Sequence, residues 1–173
     1  MKGLENNTYL ILYIISNIVA LTMLLAAWKQ HRILRLMFFL LFAWASWTNW
    51  MEAIKAPQFY LDYADLSLLG VYSNFIRGWF SDHIILTVGF IATCQALIAI
   101  SMLMKGWVFK MGAMGAIIFL LAIMPLGVGS AFPCTLIMAI AMWALFREKQ
   151  TNYLWVAQPA SYTWPTKDKL NLR

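Results

Sequence analysis

Long apolar runs, each followed by a polar connection, dominate the pattern of this chain. Three of the runs cover about residues 8–28, 34–54 and 84–104. An α-helix of about 20 residues is long enough to cross the roughly 30 Å hydrocarbon core of a bilayer. The pattern therefore predicts an all-α integral membrane protein.

The apolar stretch closer to the C-terminus is too long for one crossing. No charge interrupts the 35 residues from Gly112 to Phe146, and one helix of that length would measure roughly 50 Å. A segment rich in proline and glycine at 125–133 breaks the stretch. We expect the chain to reverse direction there, which leaves separate spans at about 108–124 and 131–146.

The expected architecture is one bundle of five transmembrane helices over residues 1–147, followed by a tail at 148–173. Basic residues collect in the first connection, the third connection and the tail. Because basic residues favour the cytoplasmic side, this places the N-terminus outside and the tail in the cytoplasm, at a bacterial inner membrane. A four-span bundle is the alternative, and it would leave the basic tail on the wrong side.

The second connection has a helical pattern of its own. An amphipathic helix is predicted over about residues 65–80, capped by Asp65 and lying along the outer interface. Its apolar positions are Leu68, Leu69, Tyr72, Phe75, Ile76, Trp79 and Phe80. Two roles stay open, a lid that packs on the bundle and a helix that also shapes a ligand entrance.

Composition and charge narrow the possible classes. Hydrophobic residues make up 62% of the 173 residues and charged residues 12%, far from the averages of soluble domains. The net charge of +6 would suit nucleic acid, but the basic residues lie beside apolar runs, so no nucleic-acid partner is expected. The first run is too long for the apolar core of a signal peptide and is expected to remain as a span.

Polar residues near the outer side form a candidate ligand site. Asn49 and Glu52 share a face of the second span, and Asp82 and His83 precede the third span on the same side. One interpretation is a tryptophan-rich interfacial belt, with Glu52 solvated or paired to Lys55. The other is a small polar site that faces an outer cavity.

Inside the membrane, Asn17 and Gln95 are the candidates for hydrogen bonds between helices. For Gln95 we expect a partner in Asn17 or in the backbone freed near Pro125. Small residues are expected at the surfaces where helices pack closely. These are Ala92, Ala96, Gly112, Gly115 and Ala116.

Cofactor chemistry has few ligands available. His31 and His83 are expected at opposite ends of the bundle, so they cannot bind one haem together. Cys94 and Cys134 differ in depth by about 12 Å, too far for a disulfide. No cofactor or metal is predicted, although a quinone or a lipid is a possible ligand.

The segment from Ile91 to Gly106, followed by a helix rich in small residues from Gly112, resembles the DoxX/DoxD-like group of small membrane proteins. A polar outer segment with Pro57 and Tyr60 precedes it, as in that group. The resemblance implies a membrane subunit of a sulfur-compound or quinone oxidoreductase complex. At Gln95 the group often has an acidic residue.

Three functions follow as hypotheses. The first is a non-catalytic accessory subunit that binds other membrane proteins through its tail and its small-residue helix faces. The second is a DoxX-like oxidoreductase subunit that acts near Glu52, Asp82 and His83. The third is a binder or carrier of an apolar ligand, such as a lipid, between the second and third spans.

Overall fold

The computed structural model describes residues 4–5, 7–148 and 152–156, and over these residues the fold is entirely helical. The helices that build the bundle are α1 (Asn7–Lys29), α2 (His31–Lys55), α5 (Ile84–Leu103), α6 (Gly106–Ile123) and α7 (Cys134–Phe146). Between α2 and α5 lie a 3-10 helix (Pro57–Asp62), the short helices α3 (Tyr63–Leu66) and α4 (Gly70–Phe75), and a π-helical turn (Ile76–Phe80). The rest of the predicted tail, at 149–151 and 157–173, lies outside the described residues.

Three segments are long and apolar enough to cross a membrane, namely Asn7–Trp28, Ile84–Leu103 and Gly106–Ser130. The helix α2 has 25 residues, but the polar side chains in its second half lower its mean hydropathy. With 13 residues, α7 measures only about 20 Å. Length and composition therefore support three crossings, and five crossings require α2 and α7 as well.

The main core lies between the five longer helices. The rings of Phe38 and Phe42 on α2 stack with centroids 6.4 Å apart. Phe42 also meets the edge of Phe119 on α6 at 6.0 Å. Fully buried alanines such as Ala113 and Ala141 line the same core, and their small side chains let helix backbones approach closely.

The chain reverses between α6 and α7, as the proline and glycine pattern predicts. A 3-10 helix over Met124–Ser130 makes the turn, and Gly127 has a φ of 65° inside it. That left-handed conformation is one that glycine adopts without steric cost. The two helices run antiparallel, since Lys110 near the start of α6 lies 5.5 Å from the ring centroid of Phe146 at the end of α7.

The prediction of one continuous helix over residues 65–80 is wrong. Ser67 is extended, with φ −65° and ψ 138°, and Gly78 has non-helical angles inside the π-helical turn. The interruption has a tertiary cause, because the Leu68 N–H and the Ser67 hydroxyl both donate to the carbonyl oxygen of Pro125. Asp65 is no cap either, since it lies within α3 and pairs with Arg77 at 2.6 Å.

The second connection packs over the α6–α7 turn. Tyr72 donates its hydroxyl hydrogen to the carbonyl oxygen of Ala122 at 2.8 Å. A side chain at Gly129 would collide with the ring of Tyr63, 2.3 Å from the position of its Cβ. Of the predicted apolar face, Ile76 and Phe80 are buried, whereas side chains at the other positions are partly or fully exposed. Those more exposed residues are Leu68, Leu69, Tyr72, Phe75 and Trp79.

Candidate functional site

A chain of hydrogen bonds connects α2, α5 and the 3-10 helix that follows α2. The amide nitrogen of Asn49 donates to Oε1 of Gln95 at 2.8 Å. The Tyr60 hydroxyl donates to Oδ1 of Asn49 at 3.0 Å and lies 3.5 Å from a carboxylate oxygen of Glu52. Gln95 is only 2% exposed, so this polar chain leads from the exposed Glu52 into the bundle.

The environment of Tyr60 keeps its phenol neutral. Burial raises the pKa of Tyr60 well above its usual value, and the negative charge of Glu52 raises it further. A neutral phenol remains a hydrogen-bond donor. Tyr60 therefore acts as a hydrogen-bond donor near the C-terminal end of α2.

The predicted partners of Gln95 are wrong. Asn17 donates instead to the carbonyl oxygens of Tyr13, at 2.9 Å, and Ala131, at 3.2 Å. It therefore connects α1 to the turn that precedes α7. Gln95 pairs with Asn49 because α2 and α5 lie side by side along their length.

Asp82 and His83 make contacts separate from those of Glu52. Both are exposed and line a shallow recess together with Pro57. The His83 ring stacks on Trp79 with centroids 4.5 Å apart, and its Nδ1 lies 2.9 Å from the Trp79 carbonyl oxygen. Within the described part of the chain, no hydrogen bond or ion pair joins Glu52 to Asp82, His83 or Lys55.

An apolar groove lies between α2 and α5, with a volume of about 430 Å³. Its small floor residues include Ala43 and Ser46 from α2 and Ala96 and Ala99 from α5. The Ser46 hydroxyl donates to the carbonyl oxygen of Ala92 at 2.7 Å, so it leaves no unsatisfied polar group in the floor. The other lining residues are Phe39, Trp47, Trp50, Met51, Ile54 and Ile100.

The sequence pattern predicts a possible apolar ligand between these two helices but does not identify the lining of the groove. It assigns Ala92 and Ala96 first to helix packing. Ala92 is fully buried, whereas Ala96 contributes to the groove. The combination of small residues on α5 with Trp47 and Trp50 on α2 is the signal that could have indicated a groove.

The small residues of α6 have different surroundings. A Cβ atom at Gly112 would lie 1.6 Å from Oγ of Ser101, whereas one at Gly115 would meet Ile98 at an ordinary 3.6 Å. Ala116 is completely buried in the core. Close approach of α5 and α6 therefore depends on Gly112 in particular.

At the opposite end of the bundle, Arg35 is buried among backbone carbonyls. Its Nε and Nη2 donate to the Met102 carbonyl oxygen at 3.0 and 2.6 Å, and Nη1 donates to that of Asn152 at 2.7 Å. Nη2 also donates to Met104, and the guanidinium lies 4.5 Å from the Phe109 ring centroid. The sequence pattern includes Arg35 among the basic residues of the first connection and does not indicate this role.

Other contacts gather the basic connections at the same end. Lys105, between α5 and α6, lies 5.0 Å from the ring centroid of Tyr153. His31 lies 3.3 Å from the carboxylate of Glu148. The first connection, the third connection and the segment after α7 therefore meet at one end of the bundle, which we call the basic end.

Metal-binding and redox groups are sparse among the residues that the structure describes. These residues contain no group of three or more His, Cys, Asp or Glu side chains that could hold a metal ion. Cys94 and Cys134 are both free thiols. The chemistry available at the groove is therefore apolar contact, and at the Asn49–Gln95 chain it is hydrogen bonding.

No protein-family model, curated protein or solved structure matches the chain. The resemblance to the DoxX/DoxD-like group stays a prediction.

Proposed function

We propose that this chain is a five-span helical membrane protein that holds an apolar ligand in the groove between α2 and α5. The groove itself is the observation that carries the proposal. Its lining is almost entirely apolar, and its one hydroxyl is satisfied by a backbone carbonyl. Such a surface suits a hydrocarbon ligand, since the buried hydroxyl would keep its partner on binding.

The distribution of charge supports the five crossings. On α2, the uncharged stretch between Arg35 and Glu52 has 16 residues and measures about 24 Å, close to the thickness of a hydrocarbon core. The basic end contains Arg35, Lys105 and the segment after α7. With the basic end in the cytoplasm, the N-terminus is outside and the C-terminus inside.

The size of the groove suits one extended hydrocarbon chain. Its lining on α2 runs from Phe39 to Ile54, about 22 Å at helical rise. An extended hydrocarbon chain has a similar length and is narrow enough to lie between two helices. The groove offers about 430 Å³, which suits a single hydrocarbon chain.

Photolabelling with a fatty acid that carries a diazirine in its chain tests this proposal. We expect the label on peptides that contain residues 39–54 and 96–100. Ala96→Phe should reduce that labelling, because the new ring fills the floor. Ala122→Phe is the matched control, since Ala122 is exposed on α6 and does not line the groove. Equal labelling of both variants and the unaltered protein would contradict the proposal.

An accessory subunit is the second candidate, and the exposed surface of α1 favours it. Asn17 contacts Ala131 just before α7 begins, so residues 7–16 extend beyond the start of α7. Ile11, Leu12 and Ile15 in this extension are each more than half exposed. Native mass spectrometry after extraction in mild detergent should then find a stoichiometric protein partner. A monodisperse, stable monomer would count against this candidate.

A DoxX-like role in quinone or sulfur chemistry is the third possibility. It would place the chemistry at Glu52, Asp82 and His83, whose contacts are separate in this structure. Quinone binding that falls in Glu52→Gln would support this role. Unchanged binding would remove Glu52 from it.

A further inference from the structure

We infer that the groove takes the acyl chain of an anionic lipid, with the lipid head group bound at Lys55. This inference rests on the proposed function, because it names the class of ligand for the same groove. The occupant belongs to the bilayer leaflet at the Lys55 end of α2.

Lys55 is positioned where a head group would emerge from the groove. Met51 lines the groove, and Lys55 follows it by four residues on the same helix. Residues four apart in a helix lie on the same face, one turn from each other. Ile54 is the last groove residue on α2, and Lys55 follows it directly as the last residue of the helix.

The charge of Lys55 is available to an anion. Lys55 is exposed, and it forms no ion pair with any residue in the described ranges. The neighbouring acid, Glu52, has its carboxylate 3.5 Å from the Tyr60 hydroxyl. Of the acids in the second connection, Asp65 pairs with Arg77 at 2.6 Å, and the exposed Asp62 and Asp82 form no ion pair with Lys55 among the described residues. A phosphate group at Lys55 would therefore not need to displace an existing ion pair.

The groove is long enough along α2 for the acyl chain of a lipid in one leaflet. One leaflet contributes about half of the hydrocarbon core, or roughly 15 Å. The groove extends for about 22 Å along α2, so it accommodates the full length of such a chain. Trp50 lies one turn before Ile54, and tryptophan is enriched at the depth where chains meet head groups.

The small residues of the floor leave space for an acyl chain between α2 and α5. Ala99 is 3% exposed and Ser46 is 7% exposed, so they form the bottom of the groove. The walls rise at Trp47, which is 66% exposed, and at Ile100, which is 51% exposed. An acyl chain in this position would contact both walls and cover the floor.

Competition between two lipids with identical chains tests the inference. The protein is reconstituted in vesicles that contain equal amounts of phosphatidylglycerol and phosphatidylcholine, and the lipids retained after extraction are counted by native mass spectrometry. We expect about fivefold more phosphatidylglycerol, the size of effect that one lysine near an anionic surface gives. Lys55→Gln should remove this preference and still retain lipid. Arg32→Gln, which removes an exposed charge near the basic end, should leave the preference intact.

The outcomes separate this inference from the proposed function. Equal retention of both lipids by the unaltered protein, or an unchanged preference in Lys55→Gln, would overturn the head-group assignment and leave the groove as an apolar site. Ala96→Phe should retain neither lipid. If Ala96→Phe retains both as the unaltered protein does, the groove is not the site and both proposals fail. A dimer that Ala96→Phe converts to a monomer would assign the groove to a second copy of the chain and overturn the lipid.

Discussion

The guanidinium of Arg35 on α2 donates two hydrogen bonds to the carbonyl oxygen of Met102, the next-to-last residue of α5, at 3.0 and 2.6 Å. A cation at this position interacts favourably with the negative end of the helix dipole. The same side chain holds the carbonyl of Asn152 at 2.7 Å. The hydrogen bonds of this one buried residue therefore connect α2 to α5 and to the segment after α7 at the basic end.

Replacing Arg35 should destabilise the bundle strongly. Arg35→Met removes the donors for three carbonyl groups, and a buried polar group left without a partner costs about 1–3 kcal/mol. We expect the free energy of unfolding to fall by about 3 kcal/mol, measured by denaturant titration in detergent micelles. Arg32→Met is the control, because Arg32 is exposed, and it should change stability by less than about 0.5 kcal/mol. Similar effects of both changes would mean that the hydrogen bonds of Arg35 do not stabilise the bundle.

The hydrogen bond between Asn49 and Gln95 should appear as an energetic coupling. A double-mutant cycle with Asn49→Ala and Gln95→Ala is expected to give about 1 kcal/mol, within the range found for hydrogen bonds between membrane helices. The matched cycle of Asn17→Ala with Gln95→Ala should give no coupling, since Asn17 bonds to Ala131 instead. Coupling in the second cycle and none in the first would show that the helices pair differently.

Substitution by alanine should have different effects on stability at Gly112 and at Gly115. Gly112→Ala places a methyl group against Ser101, and the resulting overpacking should cost about 1–3 kcal/mol of stability. Gly115→Ala meets only ordinary contacts, and it should be neutral or slightly stabilising because alanine favours helix. Adding Ser101→Gly to Gly112→Ala should recover part of the loss, because glycine inside α5 has a cost of its own. Thermal unfolding of the four proteins, including the unaltered chain, makes this comparison, and a full loss that Ser101→Gly leaves unchanged would contradict it.

The orientation in the membrane can be tested with single cysteines in a background without Cys94 and Cys134. Asp62→Cys, in the second connection, should react with a membrane-impermeant maleimide added outside intact cells. Gln30→Cys and Lys105→Cys, near the basic end, should react only after the membrane is opened. The reverse pattern would invert the proposed topology, and labelling of Gln30→Cys and Asp62→Cys from the same side would remove α2 as a crossing.

Local patterns predicted the helices and the reversal near Pro125, because proline and glycine act on the backbone where they stand. They did not predict that the connection over residues 63–80 breaks into short pieces, since its hydrogen bonds go to the distant Pro125 carbonyl. The same limit explains the partner of Gln95. In a chain that is apolar on nearly every helix face, periodicity does not say which helices are neighbours.

The burial of Arg35 and the groove between α2 and α5 could not be predicted from local patterns either. A charge near a helix end is typical of the membrane interface, so the burial of Arg35 depended on where α5 and the segment after α7 end. A groove is a property of two packed surfaces. The small side chains of Ala96 and Ala99 indicate a cavity only once Trp47 and Ile100 are known to stand beside them.

A density map of the protein in nanodiscs that contain phosphatidylglycerol tests the central claim most directly. The proposal predicts five crossings and one elongated density between Trp47 and Ile100, with its head group at Lys55. A map in which α2 or α7 does not cross the bilayer, or in which lipid density in the groove is no stronger than elsewhere on the surface, would contradict it.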